Sequence, residues 1–349
     1  MTEQRLAAMA GPLLDWYDTH KRTLPWRGTG DPYQVWVSEI MLQQTRVAAV
    51  LPYYQRWMEA LPTVEALAAA DEEQLMKLWQ GLGYYSRARN MHKAALMIVN
   101  TCGGRFPEEE KDLLKLPGIG DYTAGAIASI AFGRAVPAVD GNVLRVAARV
   151  AGLQEDIMDP AVRKKIRALM ERAMSQDRPG EYNQALMDLG AMVCLPKAAP
   201  ACARCPLSGL CEAERLGLQA ALPVRTKKAG RRREELTVYL LWRDGTVALR
   251  KRPEQGLLAG LWEFPHVPGA LEEDAAARPL EKWGLVPVEW RRTITAKHIF
   301  THVEWHMTGY LLTVRGNGGG FTWADRETLE ELAVPSAFGK YLAEALKIL

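Results

Sequence analysis

Apolar positions recur at helical spacing through the first two thirds of the chain and alternate through the last third. Leu6, Met9, Leu13, Leu14, Trp16 and Tyr17 line one face of a helix predicted over residues 4–20. A proline-punctuated loop, Leu24-Pro25-Trp26-Arg27 and Asp31-Pro32-Tyr33, leads into a helix predicted over 34–54. Its opening run, Val35 to Leu42, is apolar apart from Ser38 and Glu39. A carboxyl with Val35, Trp36 and Leu42 as helical neighbours is desolvated, which raises its pKa and makes Glu39 a candidate proton donor. A buried glutamate also serves as a structural ion-pair member, and the residues alone leave both readings open.

A polar-apolar run from Glu108 to Lys115 predicts a helix that Leu116-Pro117-Gly118-Ile119-Gly120 ends, with the two glycines permitting φ > 0 and a second helix starting near Asp121. Gly118 and Gly120 hold no side chain in the way, so backbone N–H groups at that second N-terminus can meet a phosphate oxygen directly. This helix-hairpin-helix grips DNA without reading its sequence. Asp140, 18 positions after Tyr122, precedes a helix predicted over 142–150. As its N-cap, at the positive end of the helix dipole, the carboxylate is expected to stay ionised at neutral pH. A fixed anion beside a DNA grip suits a developing sugar cation.

Two more helices are predicted over 160–175 and 181–193, followed by a linker at 222–235 with six basic side chains. Then the period becomes two. Strands over 236–243 and 246–252 flank Asp244-Gly245, a hairpin signal, with further strands at 262–266, 286–294 and 302–313 and helices at 271–283 and 325–333. The fold class is therefore multidomain: an all-α domain over 1–221, then an α+β domain over 236–349.

At 349 residues, 48% hydrophobic and 24% charged, the chain fits two soluble domains. A net charge of +3 is only mildly basic, so DNA binding rests on local patches. No apolar run reaches the roughly 20 residues of a membrane span, and no signal-peptide core opens the chain, so a cytoplasmic protein is expected. Cys194, Cys202, Cys205 and Cys211 have the spacing Cys-x7-Cys-x2-Cys-x5-Cys, soft ligands for either zinc or an iron–sulfur cluster, whereas Cys102 stands apart.

These motifs together resemble the helix-hairpin-helix DNA glycosylases, and within that family the MutY branch of adenine glycosylases, over nearly the whole chain. The resemblance of Ser38 to Thr45 to the catalytic segment assigns Glu39 the protonation of adenine at N7 and brings Gln43 and Gln44 to the DNA, with Gln44 and Tyr84 filling the gap left by an extruded base. It places Trp26, Arg27 and Gln184 around the adenine, Arg87 and Arg89 on phosphate, and Tyr122 and Asn142 beside the sugar and Asp140. Endonuclease III-type relatives carry a lysine where this chain has Tyr122, so the resemblance implies a monofunctional glycosylase without lyase chemistry. It implies a [4Fe-4S] cluster on the four cysteines, whose first gap is one residue longer than the family's.

The α+β domain resembles the MutT (Nudix) fold, but the helix at 271–283 lacks the paired glutamates that hold magnesium in a working Nudix hydrolase. By the same resemblance, Phe300-Thr301-His302 reads 8-oxoguanine opposite the adenine, Thr301 standing where serine is more usual. The expected partner is double-stranded DNA with 8-oxoguanine:adenine or guanine:adenine mispairs, bound by a monomer. A bifunctional glycosylase/lyase and a non-catalytic DNA-binding module are the rival readings.

Overall fold

The computed structural model describes residues 2–196, 200–226, 230–316 and 318–349. The chain divides into two compact units, Met1–Ala69 with Asn90–Lys227, and Ala70–Arg89 with Lys228–Leu349. Among the described residues no helix is long and apolar enough to cross a membrane.

The first unit is helical. Two helices, Thr2–Ala7 and Ala10–His20, replace the single one expected over 4–20. Pro12 has no N–H for the carbonyl one turn back, so the chain turns and restarts. The helix expected over 34–54 is likewise two, Pro32–Leu42 and Val47–Ala60, broken where Gln44 takes a φ of 61°. Asp31 caps the first of these, accepting from Tyr33 N at 2.9 Å, with Pro32 in the first turn where its missing N–H costs little. Tyr33 and every residue from Val35 to Met41 are buried, Glu39 among them.

In the hairpin, a single turn of helix, Glu110–Leu113, stands where 108–115 suggested a longer one, and Asp121–Phe132 follows. Gly118 takes a φ of 78°, and a Cβ there would lie 2.7 Å from Asn90 Cβ. Gly120 differs from expectation: its backbone is extended at φ −101°, so it supplies uncovered N–H groups and not a left-handed turn. Inside the second helix, Gly125 lets the chain cross closely, because a Cβ would meet Pro137 O at 2.6 Å and Ala138 N at 3.2 Å. That crossing delivers Asp140, whose carboxylate caps the helix Gly141–Ala151. Val143, Val146 and Ala147 of that helix pack with Leu6, Met9 and Leu13 and with Leu186 and Leu189 in one core.

The second unit carries β1 (Arg232–Arg243), β2 (Thr246–Lys251), β3 (Trp262–Glu263), β4 (His266–Pro268), β5 (Val286–Ile299), β6 (Val303–Arg315) and β7 (Thr322–Ala324). The order is β3-β2-β1-β6-β5, with β4 on β1 and β7 on β2; β1 and β6 run parallel, β5 and β6 antiparallel. Asp244 and Gly245 turn β1 into β2 at φ 46° and 76°. Alternation sends Val238, Leu240 and Met307 into one core with Phe264 and Phe338, and Tyr239, Leu241 and Leu312 into another with Leu280. The helix Gly339–Ile348 was not expected from the pattern. β1 starts inside the stretch expected as linker, where Arg232 and Arg233 pair with Glu234 and Glu235. Lys227 and Lys228 of that stretch lie outside the described residues.

Gly125→Ala is expected to lower stability by about 1–3 kcal/mol, because the intruding methyl meets backbone that has no rotamer to yield. Urea unfolding of the two proteins checks this; an unchanged midpoint would mean the crossing has slack.

Candidate active site

A cleft of about 640 Å³ in the first unit draws its walls from segments far apart in sequence. Trp26 and Arg27 come from the proline loop, Glu39, Gln43 and Gln44 from the buried helix and its turn, and Tyr122 from the hairpin's second helix. Asp140 and Asn142 come from the capped helix start, and Gln184 and Met187 from the helix Pro179–Met192.

Glu39 is 5% exposed, and the Tyr122 hydroxyl donates to its Oε2 at 2.5 Å. Burial pushes its carboxyl up from 4.5 to about 7. The Tyr122 hydrogen bond opposes the rise, the Asp140 charge adds to it, and the Arg27 charge lowers it again. Asp140 accepts from Asn142 N and Val143 N at 2.8 Å and from Asn142 Nδ2 at 2.9 Å. Burial raises its carboxyl too, so the helix end does not dominate in the way the sequence suggested; the same three donors and the Arg145 charge work against that rise. All three hydrogen bonds come from N–H groups, an environment suited to the anion. Arg145 in turn donates to Asn142 Oδ1 at 3.0 Å and to Cys194 O at 2.8 Å.

Asp188 escapes a reading of the sequence, although an acid in the apolar run 185–189 is the same signal that Glu39 gives. Its side chain is fully buried, and both of its oxygens take Arg27, Nη1 at 2.6 Å and Nη2 at 2.7 Å, while Arg22 adds Nε at 2.7 Å. Burial would raise the Asp188 carboxyl, but the two arginines outweigh it and hold it below the usual range. The clamp fixes one wall of the cleft.

The other singled-out residues do not line the cleft. Gly118 and Gly120 lie in the exposed hairpin turn. In the second unit, Tyr84, 49% exposed at φ 48°, has its hydroxyl 2.6 Å from Thr301 Oγ1. Phe300, Thr301 and His302 form the turn between β5 and β6, so His302 precedes the strand expected to contain it. Phe300 packs edge-on to Trp305 at 4.8 Å, and Arg231 Nε holds its carbonyl at 3.0 Å. Arg87 and Arg89, expected on phosphate, have protein partners in this structure. Arg87 donates to Leu82 O and Gly83 O, both at 3.1 Å, satisfying its own turn, and Arg89 pairs with Glu72 at 2.7 Å.

Cys194, Cys202, Cys205 and Cys211 line one pocket with Val146, Val150, Leu189 and Leu207. Burial raises the thiols of Cys202, Cys205 and Cys211, that of Cys205 to about 12, and the neighbouring sulfurs add to the rise. Arg149 Nη1 reaches Cys194 Sγ at 3.2 Å. Among the described residues, no three or more His, Cys, Asp or Glu side chains converge as a site for a metal ion, yet these four sulfurs share one largely apolar space. Four soft donors around a largely apolar space, with a guanidinium beside them, fit a thiolate-bound iron–sulfur group. Lys197, Ala198 and Ala199, in the longer first gap, lie outside the described residues.

Residues 37–172 match the model of the HhH-GPD superfamily base excision DNA repair proteins, and residues 237–344 match the NUDIX domain. Over 401 aligned residues the chain is 36% identical to the adenine DNA glycosylase of Homo sapiens, an alignment that covers 96% of this chain and 73% of the human protein. The chain belongs to the adenine DNA glycosylase family. The helical part of this glycosylase is also similar to the structure of a thermostable thymine-DNA glycosylase, 28% identical with a TM-score of 0.56, covering 62% of this chain and 99% of that one. A non-covalent endonuclease III–DNA complex shares the fold at 23% identity and a TM-score of 0.53, covering 63% and 99%. The glycosylase thus joins a helix-hairpin-helix unit to a Nudix-like one, and among its described residues no helix is long and apolar enough to cross a membrane.

Replacing Asp188 of the glycosylase by Ala leaves two guanidiniums without their buried partner and is expected to cost about 3–5 kcal/mol of stability. A thermal melt at neutral pH tests this, and an unshifted melting temperature would show that solvent already neutralises the pair.

Proposed function

We propose that this glycosylase excises adenine paired with 8-oxoguanine, or with guanine, from double-stranded DNA and leaves an abasic site. The observation that carries the reading is the joint presence of Glu39 and Asp140 in one cleft, the first a carboxyl that burial brings to about 7, the second a carboxylate ringed by N–H donors. Glu39 in its acid form gives its proton to adenine N7. The C1′–N9 bond then breaks, its electron pair leaves with the purine, and positive charge develops on the sugar. Asp140 stabilises that charge or bonds to it, and water adds at C1′, returning a proton to Glu39. Tyr122 and Asn142 hold the two carboxyls in register, each by a hydrogen bond to one of them. Tyr122 has no amine to form a Schiff base, which supports a monofunctional enzyme.

Gly118 and Gly120 offer bare backbone to a phosphate, and Gln44 and Tyr84 fill the space of the extruded base. The left-handed backbone of both residues supports that role, since such strain is retained where a site needs it. Gln43, Trp26, Arg27 and Gln184 wall the base. The exposed turn Phe300-Thr301-His302 reads the opposite 8-oxoguanine. Cys194, Cys202, Cys205 and Cys211 would hold a [4Fe-4S] cluster, which when bound would cross-link the segments that carry them.

The test is base release from a duplex with adenine opposite 8-oxoguanine. Glu39→Gln and Asp140→Asn are each expected to reduce single-turnover release at least about a thousandfold while duplex binding persists, since both retain shape and lose a chemical role. Near-normal release by either variant removes that residue from the mechanism. The pH profile follows from the sign of the Glu39 shift: the acid form is needed, so the rate falls about tenfold per pH unit above about 7. Tyr122→Phe, which removes a donor favouring the Glu39 anion, is expected to move that limb to higher pH. A rate that climbs through this range contradicts an acid role for Glu39.

A further inference from the structure

Tyr17 plays no part in the mechanism above. It lies on the helix Ala10–His20, 2% exposed, and does not line the catalytic cleft. It lines a neighbouring cavity of about 510 Å³ in the same unit, and Trp26, Arg27, Ile130 and Gln184 belong to the walls of both. Across that shared wall the Tyr17 hydroxyl donates to Gln184 Oε1 at 2.5 Å. The Arg27 guanidinium, itself held by Asp188, sits 5.7 Å from the centre of the Tyr17 ring. Burial pushes the Tyr17 phenol up to about 12, so it remains a neutral donor throughout the working range of the enzyme.

We infer that Tyr17 is a positioning residue that fixes which way the Gln184 carboxamide faces, and that this orientation sets the preference for adenine over a 6-oxopurine. The inference rests on the reading of the cleft as an adenine site. A carboxamide can turn over, exchanging its oxygen and nitrogen with little change of shape. Here the exchange is resisted. The Tyr17 hydroxyl has no other acceptor among the described residues, so an amide nitrogen facing it would orphan a buried O–H. With Oε1 held, its second lone pair can take a hydrogen from the exocyclic amine of adenine, while Nε2, without a protein partner among the described residues, is free for an acceptor on the purine. Guanine and hypoxanthine carry an oxygen at position 6. Against a fixed Oε1 that places acceptor against acceptor.

Removing the hydroxyl frees the amide to turn, and a turned amide suits the 6-oxo group. Tyr17→Phe keeps the ring and its packing and is therefore the variant to use, with a thermal melt to show that the fold is intact. Single-turnover release is measured for adenine and for hypoxanthine from otherwise identical duplexes opposite 8-oxoguanine. In Tyr17→Phe, adenine release is expected to fall about tenfold, the scale of one lost hydrogen bond in the transition state, and the adenine-to-hypoxanthine ratio to fall with it. Adding Gln184→Ala to Tyr17→Phe should cost no more than Gln184→Ala alone, because Tyr17 acts only through the amide. An equal loss on both bases, additive effects of the two substitutions, or an unchanged ratio overturns the inference. If the unmodified enzyme releases no adenine, the underlying reading of the cleft fails, and not the role given to Tyr17.

Discussion

A carboxyl group kept from water is the constraint on which the helical unit turns. Glu39 sits on a helix buried on every side from Val35 to Met41, and its displacement from 4.5 to about 7 corresponds to on the order of 3 kcal/mol against the anion. The fold keeps an acid near neutrality by burying the helix face that carries it, and among the described residues the hydrogen bond to its carboxyl comes from Tyr122. That donor matters because it comes from the hairpin's second helix, so the Glu39 carboxyl and the hairpin are linked through the Tyr122 side chain.

The second carboxyl is handled by opposite means. Asp140 is surrounded by three N–H donors and braced through Asn142 by Arg145, so burial that would otherwise neutralise it is met by compensating dipoles. Two acids that line one cleft thus sit in different surroundings, Glu39 taking a hydroxyl donor and Asp140 three N–H donors, an asymmetry that suits acid-assisted cleavage of a glycosidic bond. The tight backbone crossing at Gly125 delivers Asp140, and the Arg22–Asp188–Arg27 clamp fixes one wall of the cleft.

Features written locally were legible in the sequence. Asp140 as a cap, the turn at Gly118 and the Asp244-Gly245 hairpin each depend on residues a few positions apart, and the burial of Glu39 follows from its own helical neighbours. What required tertiary structure was harder to see. Gln44 breaks its helix by adopting a left-handed backbone that nothing in the pattern around it announces. Arg89 meets the carboxylate of Glu72, 17 positions back, a partner that the residues around it do not announce. Asp188 and Tyr17 find their partners about 160 or more positions away, a separation that local periodicity does not bridge.

The most direct measurement is a crystal structure of the protein on a duplex in which adenine opposite 8-oxoguanine carries a 2′-fluorinated, cleavage-resistant sugar. The extruded nucleotide is expected to lie with a purine ring nitrogen in hydrogen-bond reach of Glu39 and with its anomeric carbon facing Asp140. A nucleotide bound with either carboxyl turned away from the glycosidic bond would contradict it.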